Sequence, residues 1–172
     1  MTGSGRRRVV AAFQIRNFRE GDESALRAVF VSALYTFASR DYSPAQLAAW
    51  EWATSDPVHW QERLRANQPF IVETAGDVAG FADVQPSGFI NQFFVAGRFG
   101  GQGVATLLMK RIHEVARQRG TAELSSHVSL RAEGLFAKWG FVVAERREVV
   151  LRGITLHNAL MTKALPAADQ TR

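Results

Sequence analysis

The sequence predicts a single domain of the α/β class, more narrowly α+β, with a mixed and mostly antiparallel central sheet flanked by helices. Apolar residues at helical spacing dominate the first third of the chain, whereas strand-forming runs separated by turn residues begin near residue 70. A glycine-dense turn then joins a strand to a second long helix. The chain has 172 residues, which is enough for one domain with a sizeable core.

The first part of the chain predicts a short strand and three helices. Residues 13–19 are predicted to form the strand, and Asp22 is predicted to cap the first helix. This helix has one apolar stripe, formed by Leu26, Val29, Phe30, Ala33, Leu34 and Phe37. Two shorter helices are predicted next, because Ser43 and Gln46 have the spacing of a capping box and Asp56 is followed by a proline.

The rest of the chain predicts further strands around two helices. An antiparallel meander is predicted over 70–73, 80–84 and 89–95, with turn residues between the strands. The glycine turn leads into the second long helix, which shows separate apolar and charged faces. A strand over 123–129, a helix over 131–139, and a closing hairpin over 142–151 and 155–161 complete the predicted order.

The most informative segment is the turn that follows the strand residues Phe94 and Val95. It contains Gly100-Gly101-Gln102-Gly103 and leads directly into a helix. Glycines let a backbone approach a bulky anion, and the free N–H groups and positive dipole end of a helix point at the same place. The turn therefore indicates a phosphate site, with an ordinary strand-to-helix connection as the alternative.

Composition excludes several kinds of site. The chain has no cysteine, which rules out disulfides, thiolate metal ligands and cysteine nucleophiles, and its scattered histidines predict no metal site. No apolar run approaches the roughly 20 residues of a membrane span, and the first residues lack the apolar block of a secretion signal. A cytoplasmic protein without a membrane partner is therefore expected. The net charge of +5 comes partly from the arginines at 6–8 and argues only weakly for nucleic acid.

The order of the predicted elements, with two motifs, resembles the Gcn5-related N-acetyltransferase (GNAT) superfamily over nearly the whole chain. In that family a strand precedes Gln/Arg-x-x-Gly-x-Gly/Ala, and residues 100–105 fall on this frame. A second family block, Asn-x-x-Ala-x-x-x-Tyr-x-x-x-Gly-Phe, is occupied here by Ser129, Ala132, Phe136, Gly140 and Phe141. The phrases DYSPAQLAAW, GFADV and FFV are similar to a subgroup of uncharacterised bacterial acetyltransferases. The resemblance assigns 13–165 to the acetyltransferase domain, between a flexible basic tail over 1–12 and a C-terminal tail over 166–172.

The resemblance implies acetyl-CoA as co-substrate, bound where two central strands splay apart. The backbone N–H of Phe94 or Val95 would hold the thioester carbonyl, and the full set implied at the cofactor is Phe94, Val95, Gly100, Gly101, Gln102, Gly103, Val104, Ala105, Thr106, Ser129 and Phe136. Three residues depart from the family pattern. Gly100 replaces Gln or Arg, and Gly97 replaces a common proline and is expected to loosen the loop entry. Phe136 replaces a tyrosine thought to protonate the leaving thiolate.

Polar residues on the predicted central strands are candidates for the base that deprotonates the amine. Asp83 and Asn91 are expected opposite each other on one face of the meander, and His127 lies on a later strand. The predicted base is Asp83 or His127, acting directly or through a water held by Asn91, with a structural role as the alternative for each. Tyr42 is the third catalytic candidate, because it precedes a helix cap, is expected to be accessible, and could replace the missing acid.

The resemblance places the acceptor between the early helices and the central strands, where aromatic residues are frequent. Such walls suit an apolar or cationic amine, and Tyr42, Trp52 and Asn91 are the predicted acceptor contacts, with plain packing as the alternative for the rings. The predicted activity is acetyl transfer to a primary amine of a small molecule, peptide or protein, and a second copy of the chain is a further predicted partner, in a homodimer. The alternatives are a catalytically weak acyl-CoA-binding protein, favoured by Phe136, and a basic nucleic-acid-binding module, which is disfavoured because basic and aromatic residues do not interleave outside the N-terminal tail.

Overall fold

The computed structural model describes residues 12–167, so most of both predicted tails, 1–12 and 166–172, lies outside the described residues. The α-helices are α1 (Glu23–Thr36), α2 (Pro44–Trp52), α3 (Pro57–Asn67), α4 (Val104–Arg119) and α5 (Glu133–Lys138). The strands are β1 (Gln14–Asn17), β2 (Phe70–Thr74), β3 (Asp77–Ala82), β4 (Phe89–Ile90), β5 (Phe93–Val95), β6 (Glu123–Ser129), β7 (Val142–Leu151) and β8 (Ile154–Ala164). Within these residues no helix combines the length and apolar character needed to cross a membrane.

The strands form two four-stranded sheets. The first has the order β1-β2-β3-β5, and each of its pairs is antiparallel. The second has the order β4-β6-β8-β7, in which β4 and β6 run parallel and the other pairs run antiparallel. The predicted α/β fold, with a mixed and mostly antiparallel sheet flanked by helices, is confirmed.

The third strand of the predicted meander is broken into two strands that join different sheets. β5 pairs with β3, whereas β4 pairs with the middle of β6. Asp83 lies at the break, where its Oδ1 accepts a hydrogen bond from the Asn91 N–H at 2.8 Å. On the other side of the break, the Ser126 hydroxyl donates to the Ile90 carbonyl at 2.8 Å. The two sheets therefore part between β5 and β6, which opens a space at the ends of these strands.

Two apolar clusters lie on opposite faces of the strands. Val72 belongs to the cluster that includes α4 and α5, whereas Ile71 belongs to the cluster that includes α1, α2 and α3. This alternation is expected, because successive strand residues point to opposite faces. The space between β5 and β6 is thus bounded by helices from both sides.

The two shorter helices begin as the sequence predicts. The Ser43 hydroxyl accepts a hydrogen bond from the Gln46 N–H at 3.2 Å, and the Gln46 side chain accepts one from the Ser43 N–H at 2.8 Å. This reciprocal pair is a capping box with proline at the first helical position. At α3 the Asp56 carboxylate accepts from the N–H groups of Val58 and His59.

Asp22 does not cap α1 with its side chain, so that prediction is wrong. Its carboxylate accepts two hydrogen bonds from the Arg16 guanidinium, at 2.8 and 2.9 Å, and one from the Arg19 N–H at 2.7 Å. The Arg16 guanidinium on β1 binds this carboxylate in place of the helix N–H groups. Two hydrogen bonds between charged partners are stronger than one from a neutral backbone N–H. The same hydrogen bonds hold the pKa of Asp22 below its usual range.

Candidate active site

The glycine turn between β5 and α4 has an open concave side. Gly101 and Gly103 adopt positive φ angles of 72° and 92°, which glycine adopts at little cost. A Cβ placed on either residue would meet no atom within 4 Å, so the backbone here faces unfilled space. The N–H groups of the first turn of α4 have no acceptor within the helix and point to the same region. The turn therefore fits the phosphate cradle that the sequence predicts.

The other side of the turn is fastened to α1. The Gly97 N–H donates to the Ser32 hydroxyl at 2.9 Å, and a Cβ on Gly97 would lie 2.1 Å from the Thr36 hydroxyl oxygen. A Cβ on Gly100 would lie 2.8 Å from the ring of Phe37. The expectation that Gly97 loosens the loop entry is therefore wrong, because this glycine lets the loop pack tightly on the helix.

A first cleft of about 500 Å³ lies along this turn and the end of β5. It is lined by Ala33, Leu34, Phe37, Ala38, Trp50, Phe93, Phe94, Val95, Phe99, Gly100, Gly101, Gly103, Val104, Ala105, Thr106, Ser129, Arg131, Ala132 and Leu135. Most of the residues expected at the cofactor are in this lining. The walls from α1 and from the segment after β6 were missed, because only the tertiary fold brings them to the turn.

Two residues expected at the cofactor do not line the first cleft. Phe136 is 1 % exposed, and its ring packs edge-on against Phe93 and Phe141 with centroid distances of 5.5 and 5.0 Å. Its neighbour Leu135 faces the cleft instead, since the two side chains lie on different sides of a short helix. The Gln102 amide turns back and donates to the Arg98 carbonyl at 2.9 Å.

The sequence leaves open whether the backbone N–H of Phe94 or that of Val95 is the donor for the thioester carbonyl, and the free edge of β5 distinguishes the two. β5 is the last strand of its sheet, and the ladder bonds flanking it run from Ala96 N–H to Ala79 and from Asp83 N–H to Gln92. Because antiparallel strands alternate in which residues bond to the neighbour, Phe94 faces β3 and the N–H of Val95 faces the open edge. Val95 also lines the first cleft.

A second cleft of about 300 Å³ lies between the early helices and the second sheet. It is lined by Phe30, Tyr42, Trp50, Ala53, Thr54, Trp60, Arg63, Asn91, Gln92, Phe94, His127, Ser129, Val149, Leu151, Leu156, His157 and Asn158. Trp50, Phe94 and Ser129 line both clefts, so the two spaces meet at these residues.

The structure separates the three residues predicted to contact the acceptor. Asn91 is exposed and lines the second cleft. Tyr42 also lines it but is only 6 % exposed, contrary to expectation, because its hydroxyl donates to the His157 carbonyl at 2.6 Å and accepts from the Leu130 N–H at 3.1 Å. Burial raises the pKa of Tyr42, which makes it a weaker acid. Trp52 lines neither cleft: its exposed ring lies under the Arg152 guanidinium on the β7–β8 turn.

His127 lines the second cleft on the same face of β6 as Ser129. Its Nε2 contacts the Arg147 guanidinium on β7, and its ring packs edge-on against Phe89. Partial burial and, secondly, the charge of Arg147 lower the pKa of His127 below the usual imidazole value. The imidazole is therefore neutral near pH 7, with its Nε2 lone pair directed at Arg147.

Asp83 is the candidate that the structure removes from direct contact with a ligand. It is 0 % exposed, it lines neither cleft, and Oδ2 has no hydrogen-bond partner within the described residues. Burial raises its pKa to about 6. Its Oδ1 stabilises the break between β4 and β5, so its geometry is that of a structural carboxyl. Sequence pairing placed it next to Asn91 but could not show its burial.

The described part of the chain contains no cluster of metal-ligating side chains. No group of three or more His, Asp or Glu side chains lies close enough together between residues 12 and 167 to hold an ion.

The fold and the cleft at a glycine turn define a class of acyl transferases that bind a nucleotide-bearing cofactor. Residues 38–165 match the family described as acetyltransferase (GNAT) domain. The chain therefore belongs to the GNAT acetyltransferase family, as the sequence predicts. It is an N-acetyltransferase whose co-substrate is acetyl-CoA, and the open glycine cradle fits the phosphates of that co-substrate.

Two relatives support the assignment, and a third protein shares the fold. The chain is 31 % identical to the uncharacterised N-acetyltransferase YafP of Escherichia coli (strain K12) over 148 residues, which cover 86 % of this chain and 93 % of YafP. A GCN5-related N-acetyltransferase from Rhodopseudomonas palustris, described as aminotransferase class-II, is 30 % identical with a TM-score of 0.86, covering 92 % of this chain and 99 % of that chain. The PaiA N-acetyltransferase of Thermoplasma acidophilum, solved with coenzyme A, shares the fold at 13 % identity and a TM-score of 0.69, covering 90 % and 99 % of the two chains.

Proposed function

We propose that the chain transfers the acetyl group of acetyl-CoA to a primary amine of a small molecule or peptide, with acetyl-CoA in the first cleft and the amine in the second. The observation that carries this proposal is that Trp50, Phe94 and Ser129 line both clefts. Reactants held on the two sides of this junction would meet at its centre. Holding two reactants together supplies a large part of the rate enhancement of such reactions.

The glycine turn would bind the phosphates of the co-substrate. The open backbone at Gly101 and Gly103 and the first-turn N–H groups of α4 give hydrogen-bond donors and a positive dipole end. Arg131 adds a positive side chain to the same cleft. When bound, acetyl-CoA supplies an acyl group activated as a thioester.

The Val95 N–H would polarise the carbonyl that receives the amine. It faces the open edge of β5, at the place where the two sheets part. A backbone donor fixed by a sheet needs no reorganisation when negative charge develops on a carbonyl oxygen, and this is why such donors are effective. The side chain of Phe94, next to it, forms the wall shared by both clefts.

His127 is the side chain that we assign as base for the amine proton. It lines the second cleft and is neutral near pH 7, and its Nε2 is able to accept a proton once Arg147 moves away from it. Among the residues that line the two clefts, Tyr42 is the only tyrosine, and its hydroxyl donates its proton to the His157 carbonyl, so it is not free to act as an acid. A thiol has a pKa of about 8.5, so the CoA thiolate is an adequate leaving group even when no acid protonates it.

Two measurements on the purified protein test this function. Calorimetry should show binding of acetyl-CoA, and release of CoA thiol should depend on addition of a primary amine from a panel. Binding without amine-dependent release would instead support the acyl-CoA-binding alternative. Absence of binding would contradict the assignment of the first cleft.

A further inference from the structure

The second cleft carries an unusual distribution of charge. Its lining contains the Arg63 guanidinium and the amides of Asn91, Gln92 and Asn158, but no aspartate or glutamate among the described residues. A cleft that selects a cationic amine is expected to offer a carboxylate, because a desolvated ammonium needs a counter-charge. The lining therefore favours a ligand that brings negative charge with it.

Arg63 is available to such a ligand. In residues 12–167 every ion pair involves other side chains, and Arg63 makes no side-chain hydrogen bond there. The carboxylate that its charge influences is Asp83, which is fully buried and does not line the cleft. A partly buried guanidinium beside aromatic walls binds a carboxylate more strongly than an exposed one does, since solvent screens the pair less.

Asn158 offers a second polar group without a partner. Its Oδ1 is buried and accepts no hydrogen bond within the described residues, although the residue lines the cleft. The strand register places Asn158 opposite Ser129 on one side, so it lies beside the junction of the two clefts. Buried acceptors in proteins normally have donors, and an amine N–H at this junction would supply one.

We propose that the acceptor is an aminocarboxylate with an apolar or aromatic body, in which Arg63 binds the carboxylate and Asn158 accepts a hydrogen bond from the amine. This inference rests on the proposed acetyl transfer and names the class of its acceptor. The cleft of about 300 Å³ suits a molecule of amino-acid size, and Trp50, Trp60 and Phe94 supply aromatic walls. The aromatic walls suit an apolar or cationic amine, and Arg63 adds the requirement that this amine also carries an anionic group.

The test compares pairs of amines that differ only in the carboxylate. L-Phenylalanine is paired with phenethylamine, and 4-(aminomethyl)benzoate is paired with benzylamine, so that both flexible and rigid spacings are sampled. The carboxylate-bearing member of at least one pair should have the higher kcat/KM by about tenfold or more. Arg63→Met should lower this value by about 10- to 100-fold, mainly through KM, because a hydrogen bond to a charged group is lost. The carboxylate-free amine should change by less than about twofold.

Arg65→Met is the matched control, since Arg65 lies on the same helix but bonds to Glu20 at 2.9 Å and does not line the cleft. It should leave both amines unaffected. Equal loss for both members of a pair in Arg63→Met, or preference for the carboxylate-free amines, would overturn the proposal. Calorimetry with acetyl-CoA on each variant separates this result from failure of the proposed function, in which the co-substrate does not bind or no amine releases CoA thiol.

Discussion

At the scale of single residues, Gly103 tests the phosphate cradle. Its φ of 92° is strained for any β-branched residue, and a Cβ there would project into the open side of the turn. Gly103→Val should therefore abolish measurable acetyl-CoA binding while costing only about 1–3 kcal/mol of unfolding free energy. Calorimetry and urea denaturation measure the two effects.

Gly120→Val provides the control for this change. Gly120 ends the same helix, has a φ of 67°, and likewise has no atom within 4 Å of its Cβ position. It should lose similar stability but keep its affinity for acetyl-CoA, because it lies at the far end of α4. Equal affinity in both variants would refute the assignment of the turn.

The role of His127 is tested by the pH dependence of kcat/KM. Burial and the charge of Arg147 lower the pKa of His127. The rise of kcat/KM with pH that reports loss of its proton should therefore have its midpoint below about pH 6.5, and this limb of the profile should disappear in His127→Ala. Arg147→Ala should move the limb to higher pH, since removing a positive neighbour makes the imidazolium easier to form. Glu145→Gln should move it to lower pH, because Glu145 raises the pKa.

The wild type and the three variants must be measured with the same acceptor amine, because this amine also titrates and adds its own pH-dependent limb to the profile at higher pH. If His127→Ala changes kcat/KM by less than about threefold at every pH, the histidine is not the base. The chain would then act mainly by positioning a deprotonated amine.

Asp83 should make the protein less stable as the pH rises from about 4 to about 6. Its pKa is raised from 3.8 to about 6 in the folded state, so the stability linked to its protonation is complete below about pH 4 and is lost as the pH rises through about 6. Asp83→Asn removes this dependence. Relative to wild type, the variant should gain up to about 3 kcal/mol between about pH 4 and pH 7.5 in urea denaturation. A difference between the two proteins that does not vary with pH would contradict the burial of the charge.

At the scale of elements, Gly97 fixes the distance between the glycine turn and α1. Gly97→Ala would place a Cβ 2.1 Å from the Thr36 hydroxyl oxygen, so the loop and the helix must move apart. We expect a loss of about 1–3 kcal/mol in unfolding free energy and weaker acetyl-CoA binding, because both elements line the first cleft. Gly134→Ala is the control, since it lies within α5 with no atom within 4 Å and should be neutral or stabilising. Equal behaviour of the two variants would contradict the tight contact.

The elements themselves were largely predictable because their signals are local. The capping box at Ser43 and the cap at Asp56 act over three residues, and the sequence contains both partners. Asp22 misled the prediction, since its partner Arg16 lies on a different element. The break near Asn91 was also missed, because the residues of 89–95 favour strand throughout and only the pairing with two different sheets divides them.

The site was predictable where it consists of backbone and not where it depends on burial. The glycine turn is visible in sequence because its conformation requires glycine at Gly103. The neighbours that decide the roles of Tyr42 and Trp52 come from the distant β7–β8 hairpin, and no local pattern reveals them. Arg63 was missed for the same reason, since a charged residue on a helix is normally solvated.

At the scale of the whole molecule, the co-substrate should join two sheets that otherwise part between β5 and β6. A ligand that binds only the folded state at 100 times its dissociation constant stabilises that state by about 2.7 kcal/mol. For a domain of this size the melting temperature should rise by roughly 5–10 °C. Thermal unfolding with and without acetyl-CoA measures this shift.

Hydrogen exchange locates the source of that stabilisation. The Val95 N–H faces the open edge of β5 and should exchange more slowly when acetyl-CoA binds, together with the first-turn amides of α4. The Phe94 N–H is already bonded within the sheet, so its exchange should slow only by the global stabilisation. If Phe94 and Val95 respond equally, binding tightens the sheet as a whole, and the Val95 N–H does not hold the thioester carbonyl. Because the two amides are adjacent, each serves as the control for the other in the same sample.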